Sequence, residues 1–185
     1  MGAFPCNELL QYYGCSLVAE IGNSHSLTVN VIGEDGNPET VPVPDVFVAA
    51  GAIEHLLVAT EKNAADDWVY RQAMLAISRL CINKTHRTRF LHRGGINTFV
   101  LTLSEKHRAI VVRRAFRFFE IFVRNVDVSW FMDCAIIGKL YDLRLSLRKT
   151  EGTLYADLIS KIRTKALAVN VTSLKESSNG IAKLL

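Results

Sequence analysis

An eleven-residue block that recurs three times constrains the fold of this chain more than any other feature. The copies read FVAAGAIEHLL from Phe47, FLHRGGINTFV from Phe90 and FMDCAIIGKLY from Phe131, so their starting points are almost evenly spaced. Self-similarity at about 40–47 residues is typical of stacked helical repeats, in which each unit buries its apolar face against its neighbours. Besides the phenylalanines, the copies share a small residue and an isoleucine two positions later, namely Gly51/Ile53, Gly94/Ile96 and Ala135/Ile137.

The residues around the first copy predict how one unit is built. Asp45 is expected to cap a short helix over residues 46–50. Gly51 then forms a corner, a second helix follows over residues 52–60, and a polar loop leads to a long helix over residues 68–82. The positions expected to face the core are Ile53, Leu56 and Leu57 in the second helix and Ala73, Ala76, Ile77 and Leu80 in the long helix.

The second unit repeats this order. It has a short helix over residues 85–92, a corner at Gly94 and Gly95, a second helix over residues 96–104 and a long helix over residues 108–123. The apolar positions of this long helix lie at one constant offset from those of the first unit, which predicts a common core column. They are Ala115, Phe118, Phe119 and Phe122.

The ends of the chain are less regular. A third unit spans residues 128–147, followed by a long helix over residues 154–168 with Tyr155, Leu158, Ile159 and Ile162 in the core column. Before the first copy, residues 8–21 carry apolar side chains at steps of three and four, which predicts an amphipathic helix. The side chains on that expected apolar face are Leu9, Leu10, Tyr13, Leu17, Val18 and Ile21.

Residues 26–44 do not fit the repeat. Leu27, Val29 and Val31 alternate with more polar residues, a GEDGNPE turn follows, and residues 40–43 alternate again. This pattern favours an inserted β-hairpin, with a long loop as the alternative, and its prolines would confine the second strand to an edge. We therefore predict an all-α single domain over residues 1–185. Its parts are a partial repeat (8–23), an insertion (26–44), three repeats (45–83, 84–125, 126–168) and a C-terminal cap or frayed tail (169–185).

Composition narrows the class of protein. Apolar residues make up 49% of the chain and charged residues 22%, which is typical of a packed core. No apolar run reaches the roughly 20 residues of a membrane span. The four cysteines form no CxxC pair or zinc-like spacing, so we expect reduced thiols and a cytoplasmic location, with a nuclear one left open. Lipidation of Gly2 and Cys6 would add a membrane partner, but Cys6 stands where the myristoylation pattern has Ser or Thr.

Catalytic signatures are missing from the sequence. The five histidines form no HExxH pattern, and no nucleophile elbow, P-loop or dinucleotide fingerprint occurs. Asp66 and Asp67 are interpreted as caps of the long helix that follows them. We therefore predict that the chain is not an enzyme and needs no cofactor or metal.

The repeated phrases resemble a known family. AAGAIEHLL, QAMLAISRLCIN and HRGGINTFVLTL are similar to the armadillo repeat, in which a Gly corner joins the first two helices. The third helix of that repeat ends in an Ala-Leu-Ser-Asn-Leu-like phrase, which here is Ala76-Ile77-Ser78-Arg79-Leu80. The resemblance covers residues 45–162 and implies a right-handed solenoid of about three to four units, whose third helices line a concave groove that binds partner segments.

The resemblance also implies which residues face the groove. In members that bind extended peptides, a ladder of Asn on the third helices, sometimes with Trp, holds the ligand. The Asn column here carries Arg79, Ile121 and Lys161, and the Trp column carries Leu75 and Arg117, so both ladders are missing. The predicted groove residues are Gln72, Leu75, Arg79, Asn83, Arg114, Arg117, Ile121 and Asn125.

The arginines among these residues lead to a functional prediction. Guanidinium groups match carboxylates, so the groove is expected to bind an acidic or amphipathic segment of a partner protein, unless these arginines only solvate an exposed helix face. Self-assembly into homo-oligomers is the alternative. Nucleic-acid binding is disfavoured because the net charge is only +4 and the phenylalanines near Arg113 and Arg117 match core columns.

Overall fold

A computed structural model describes residues 7–24, 26–33, 35–104, 107–125, 130, 136, 138–140, 143, 156–162 and 164. The chain divides into two compact units, Met1–Ala115 and Phe116–Leu185. The described part is mostly helical with one small sheet. Its elements are α1 (Glu8–Gly22), β1 (Thr28–Ile32), β2 (Pro38–Pro42), α2 (Val43–Ala49), α3 (Ala52–Lys62), α4 (Asp67–Leu80), α5 (Lys84–His92), α6 (Gly95–Thr102) and α7 (Ala109–Asn125).

The predicted order of short helix, corner, helix and long helix is confirmed twice, as α2–α3–α4 and as α5–α6–α7. Gly51 and Gly94 have φ values of +89° and +72°, a left-handed conformation that glycine adopts without the steric cost of a Cβ. Gly95 follows in ordinary helical geometry, but a Cβ there would lie 2.1 Å from the ring of Phe90. In the second corner, Gly94 is therefore required for its backbone conformation and Gly95 for the absence of a side chain next to Phe90.

The predicted core columns are confirmed in the first and second sequence repeats. Ile53, Leu56 and Leu57 are buried in α3, and the four predicted positions of α4 have no exposed surface. In α7, Ala115 is buried in the first compact unit, and the three phenylalanines of the column are buried in the second. The pattern identified these positions because helix periodicity is a local property of the sequence.

Asp45 is not the N-cap that the sequence predicts. The helix α2 begins at Val43, and Pro42 occupies the cap position without a side-chain hydrogen bond. Pro44 has no N–H to cap, so the first turn needs fewer acceptors and the helix can begin earlier. Asp45 lies in that first turn, where its Oδ1 is 2.9 Å from Nε2 of His86.

The N-terminal helix is confirmed as α1, but of the six residues on its expected apolar face only Val18 is buried. Leu9, Tyr13 and Leu17 are 65%, 61% and 59% exposed. The face that packs against α4 instead requires a small residue at Gly22, since a Cβ added there would lie only 3.1 Å from Cβ of Arg79. Two helices can approach closely only where their side chains are small. Hydrophobic periodicity takes no account of side-chain size, so it does not predict this face. The buried side of α1 consists of Gln11, Cys15, Val18, Ala19 and Gly22.

The insertion is the predicted hairpin. The strands β1 and β2 pair antiparallel, with Thr28 opposite Pro42 and Ile32 opposite Pro38. Gly36 takes a φ of +80° in the turn. The side chain of Asp35 accepts a hydrogen bond from the backbone N–H of Asn37 at 3.1 Å.

Only part of the predicted third unit belongs to the described residues. There, Ile136, Leu140, Leu143, Leu158 and Ile162 are buried. Of the block from Phe131, the structure describes Ile136 and residues 138–140, whereas Phe131, Ala135 and Ile137 lie outside the described residues, as do Gly2, Cys6 and the tail at 169–185. Over the described ranges, no single helix is long and apolar enough to cross a membrane; α2 and α3 together pass that test but are bent by 64°.

Candidate partner-binding face

The predicted groove residues are distributed over α4 and α7. On α4, Gln72 is half-buried and Leu75 is 39% exposed. On α7, Arg114 in the first compact unit is exposed. Arg117 and Ile121, in the second unit, are exposed as well. The backbone of α7 ends at Asn125, whose side chain is not among those the structure describes.

Arg79 contributes to the packing of α1. Its Nη1 donates to the carbonyl of Ala19 at 2.8 Å and to Oε1 of Glu20 at 3.0 Å. The Arg79 side chain is 24% exposed, and the Glu20 side chain is 73% exposed. The Ala19 carbonyl also accepts a hydrogen bond from the N–H of Asn23 at 3.2 Å, so Arg79 adds a second bond at the C-terminal end of α1 and links this helix to α4.

Asn83 is the N-cap of α5. Its backbone is extended, and its Oδ1 accepts a hydrogen bond from the N–H of Thr85 at 2.8 Å. Capping of this kind stabilises a helix by about 1 kcal/mol. Of the predicted groove residues, Arg79 and Asn83 therefore have structural roles within the first compact unit.

A neighbouring cluster, which sequence reasoning missed, has the composition of a binding site. We call it the Trp68 patch, and it comprises Tyr12, Trp68, Arg71, Arg108 and Arg114. The Trp68 side chain is 51% exposed, and the Tyr12 ring meets it edge-on at 6.3 Å between centroids. The guanidinium carbons of Arg71 and Arg108 lie 5.1 and 5.3 Å from the centroid of the Trp68 ring, within cation–π range.

The first turn of α4 positions this patch. The side chain of Asp66 accepts hydrogen bonds from the N–H groups of Trp68 and Val69, at 2.8 and 2.7 Å, which confirms the predicted capping role of Asp66. Three residues later along the helix, Arg71 falls on the same face as Trp68. Asp67 holds Arg108 through an Oδ2–Nε contact of 2.5 Å.

Positive charge dominates the electrostatics of the patch. Partial burial lowers the pKa of Arg71, and the positive charges of Arg114 and Arg108 lower it further, against the opposing effect of Asp67. Burial is the largest cause of this pKa shift and repulsion from the two neighbouring guanidinium groups is the next, while Arg71 itself stays protonated at neutral pH. The Nε of Arg71 is also buried with no hydrogen-bond partner in the described part of the chain. Within the described residues, the patch therefore combines three positive charges with one guanidinium N–H that has no acceptor.

The sequence contained only part of this signal. The residue types and the three-residue step from Trp68 to Arg71 are visible in it. The approach of Tyr12 from α1 and of Arg108 from the start of α7 depends on tertiary packing, and no periodicity predicts it.

The described residues offer little for other chemistry. They contain no group of three or more His, Cys, Asp or Glu side chains that could hold a metal. Burial raises the pKa of the Cys15 and Cys81 thiols to about 12, which makes both poor nucleophiles. Phe116, Phe118 and Phe119 are buried, as predicted, and so cannot stack on nucleic-acid bases.

Comparisons with known proteins add no relative to this picture: no family model matches the chain, and no curated protein or solved structure is significantly similar to it.

Proposed function

We propose that the chain is a non-enzymatic interaction scaffold, built as an armadillo-like solenoid, which captures an acidic or amphipathic segment of a partner protein. In this proposal α2–α3–α4 and α5–α6–α7 are two consecutive repeats, and α4 and α7 are their groove-lining helices. The observation that carries the proposal is the Trp68 patch. There Arg71 and Arg108 lie over an exposed tryptophan and both interact with Asp67, and Arg114 adds a third positive charge that acts on Arg71.

Charge supports the acidic character of the partner. Carboxylates brought by a partner would relieve the repulsion that Arg108 and Arg114 exert on Arg71. Charge-assisted hydrogen bonds to guanidinium groups are stronger than neutral ones. An anionic segment therefore gains more at this patch than at an ordinary solvated arginine.

The aromatic residues support a partner that also brings apolar groups. Trp, Tyr and Arg are the residue types that most often carry binding energy at protein interfaces. Two turns beyond Trp68 along α4, Leu75 is 39% exposed on the groove side that the repeat predicts. A segment that alternates carboxylates with apolar side chains fits this combination.

The test uses a defined probe, a labelled peptide of alternating Glu and Leu, and measures binding by fluorescence anisotropy at low and high salt. Arg114→Glu should weaken binding at least about tenfold, which corresponds to about 1.4 kcal/mol. Lys84→Glu is the matched control: it makes the same change of net charge at an exposed position of α5, and it should leave binding nearly unchanged. Equal losses in both variants would show that only net charge matters and would contradict the proposal.

Tryptophan fluorescence provides a second measurement, which distinguishes peptide binding from nucleic-acid binding. Replacing Trp130 with Phe leaves Trp68 as the only tryptophan, whose emission should shift when the peptide occupies the patch. A single-stranded oligonucleotide serves as the comparison ligand. Tighter binding of the oligonucleotide than of the peptide, with a steep loss of affinity in salt, would replace the proposal with nucleic-acid recognition.

A further inference from the structure

The two outer edges of the hairpin differ in their ability to accept another strand. The backbone N–H of Val43 donates to the carbonyl of Leu27 at 2.9 Å, and that of Gly33 donates to the carbonyl of Asn37 at 2.8 Å. Antiparallel pairing alternates hydrogen-bonded and non-hydrogen-bonded pairs. Even-numbered residues of β1 therefore direct their N–H and C=O groups away from β2. They are Thr28, Asn30 and Ile32, opposite Pro42, Thr40 and Pro38.

Proline closes the edge of β2 and leaves the edge of β1 open. Two of the three outward positions of β2 are Pro38 and Pro42, which have no N–H, so only Thr40 could donate there. The strand β1 has no proline and no charged residue, the two devices that commonly block edge pairing. The sheet contains only β1 and β2 within the described residues, so β1 has no second neighbour there.

Exposure makes this open edge a candidate interface. The side chains of Thr28, Asn30 and Ile32 are exposed, and Ile32 reaches 74%. Val29, on the opposite face of the strand, is 40% exposed. An isolated two-stranded hairpin is marginally stable in water, and additional strands stabilise it.

The sequence of β1 favours a second copy of the same chain as the occupant. Around Asn30 the strand TVNVI is nearly palindromic: Val29 and Val31 are identical, and Thr28 and Ile32 are both β-branched. A two-fold interface places the same surface of each copy against the other, so it requires this kind of self-complementarity.

We propose that two copies of the chain associate through β1, antiparallel about a two-fold axis at Asn30, and form a four-stranded sheet. Each outward pair then exchanges N–H···O bonds, with Asn30 opposite the same residue of the second copy. Val29 faces Val31 of the second copy, a cross-strand pair of β-branched residues. The proposal does not depend on the Trp68 patch.

The first experiment compares two proline variants by sedimentation velocity over a range of concentrations. Asn30→Pro removes the outward N–H at the centre of β1. Thr40→Pro makes the same change directly opposite on β2, and both variants lose the 3.1 Å hydrogen bond from Thr40 to Asn30. The wild type and Thr40→Pro should dimerise, and Asn30→Pro should stay monomeric. A monomeric wild type, or equal behaviour of the two variants, would overturn the proposal.

A charge-pairing experiment keeps the hairpin intact and tests the two-fold register. Asn30→Lys and Asn30→Asp each place like charges opposite one another in a homodimer, so each should weaken association at least tenfold. An equimolar mixture of the two variants should regain association, because the introduced lysine and the introduced aspartate would then face each other across the axis. No recovery in the mixture would refute pairing at Asn30, while peptide binding at the Trp68 patch would be unaffected.

Discussion

Replacing Gly95 with alanine tests whether the second corner is a steric requirement. A Cβ at this position would lie 2.1 to 2.4 Å from three carbons of the Phe90 ring, whereas ordinary van der Waals contact begins at 3.4 Å. The ring would have to retreat by the difference between these distances, well beyond the few tenths of an ångström that a packed neighbour can give. Phe90 has no exposed surface and its ring lies 6.1 Å from that of Phe99, so any movement of the ring would disturb the packing of the core.

Two opposing effects determine how much Gly95→Ala changes the free energy of unfolding. Overpacking of a core costs about 1–3 kcal/mol. Alanine is favoured over glycine in a helix by up to about 1 kcal/mol, which offsets part of that cost. We therefore expect Gly95→Ala to lower the free energy of unfolding by about 1–2 kcal/mol. Because the two effects oppose each other, the single variant alone does not isolate the clash.

A double-mutant cycle with Phe90→Leu isolates it. Leucine at position 90 removes the ring carbons that the new Cβ would meet, so Gly95→Ala should cost less in that background, with a coupling of about 1 kcal/mol or more. Gly94→Ala is the control: it should also destabilise by about 1–2 kcal/mol, because its φ is +72°. Nothing lies within 4 Å of its added Cβ, so that cost should be additive with Phe90→Leu.

Urea denaturation followed by circular dichroism measures the wild type, the three single variants and the two double variants. An additive cycle for Gly95 and Phe90 would refute the steric argument. A coupling as large for Gly94 as for Gly95 would refute it too, since it would show that the corner responds to core loosening in general.

Three further predictions concern stability and reactivity. Asp66→Ala removes the acceptor that caps α4 and should lower the free energy of unfolding by about 1 kcal/mol in urea denaturation, whereas equal stability would contradict the capping role. Partial burial raises the pKa of Glu54, but the hydrogen bond from Arg89 and the positive charges nearby hold it, on balance, below its ordinary value. That stabilisation is present above the unfolded-state pKa and lost as pH falls through the folded-state pKa, so Glu54→Gln should flatten the acid limb of a stability–pH profile; an unchanged limb would exclude this role. Cys15 and Cys81, with pKa values raised to about 12, should react with iodoacetamide at pH 8 only after unfolding, and rapid labelling of either of these two residues in the native protein, located by peptide mass spectrometry, would contradict their burial.

The parts of the fold that could be predicted from the sequence are those whose causes are local. The corner at Gly51 follows from a backbone conformation that favours glycine, and the core column of α4 follows from helix periodicity. The buried side of α1 could not be predicted in this way. Its contact with α4 depends on how closely two helices approach, which selected Cys15 and Gly22 over the larger leucines.

Contacts between distant parts of the chain account for the other differences. Asp45 meets His86, and Arg79 meets the end of α1, in both cases across long stretches of sequence. In each case a polar residue that could have served a local or surface role found an internal partner, which the sequence alone does not reveal. The groove prediction could place its residues on α4 and α7 but could not identify which of them were already engaged.

The repeat also explains why the candidate site was hard to see. When the two long helices are aligned by their core columns, Trp68 corresponds to Ile110 and Leu75 corresponds to Arg117, whereas the core positions carry similar apolar residues in both units. In stacked repeats the core positions must carry apolar residues in every repeat. The surface positions are under no such requirement and can differ from one repeat to the next. Periodicity therefore identifies the buried positions of the helices and does not identify residues that function on the surface. Both proposed interfaces, the Trp68 patch and the open edge of β1, lie where the sequence departs from its own repeat.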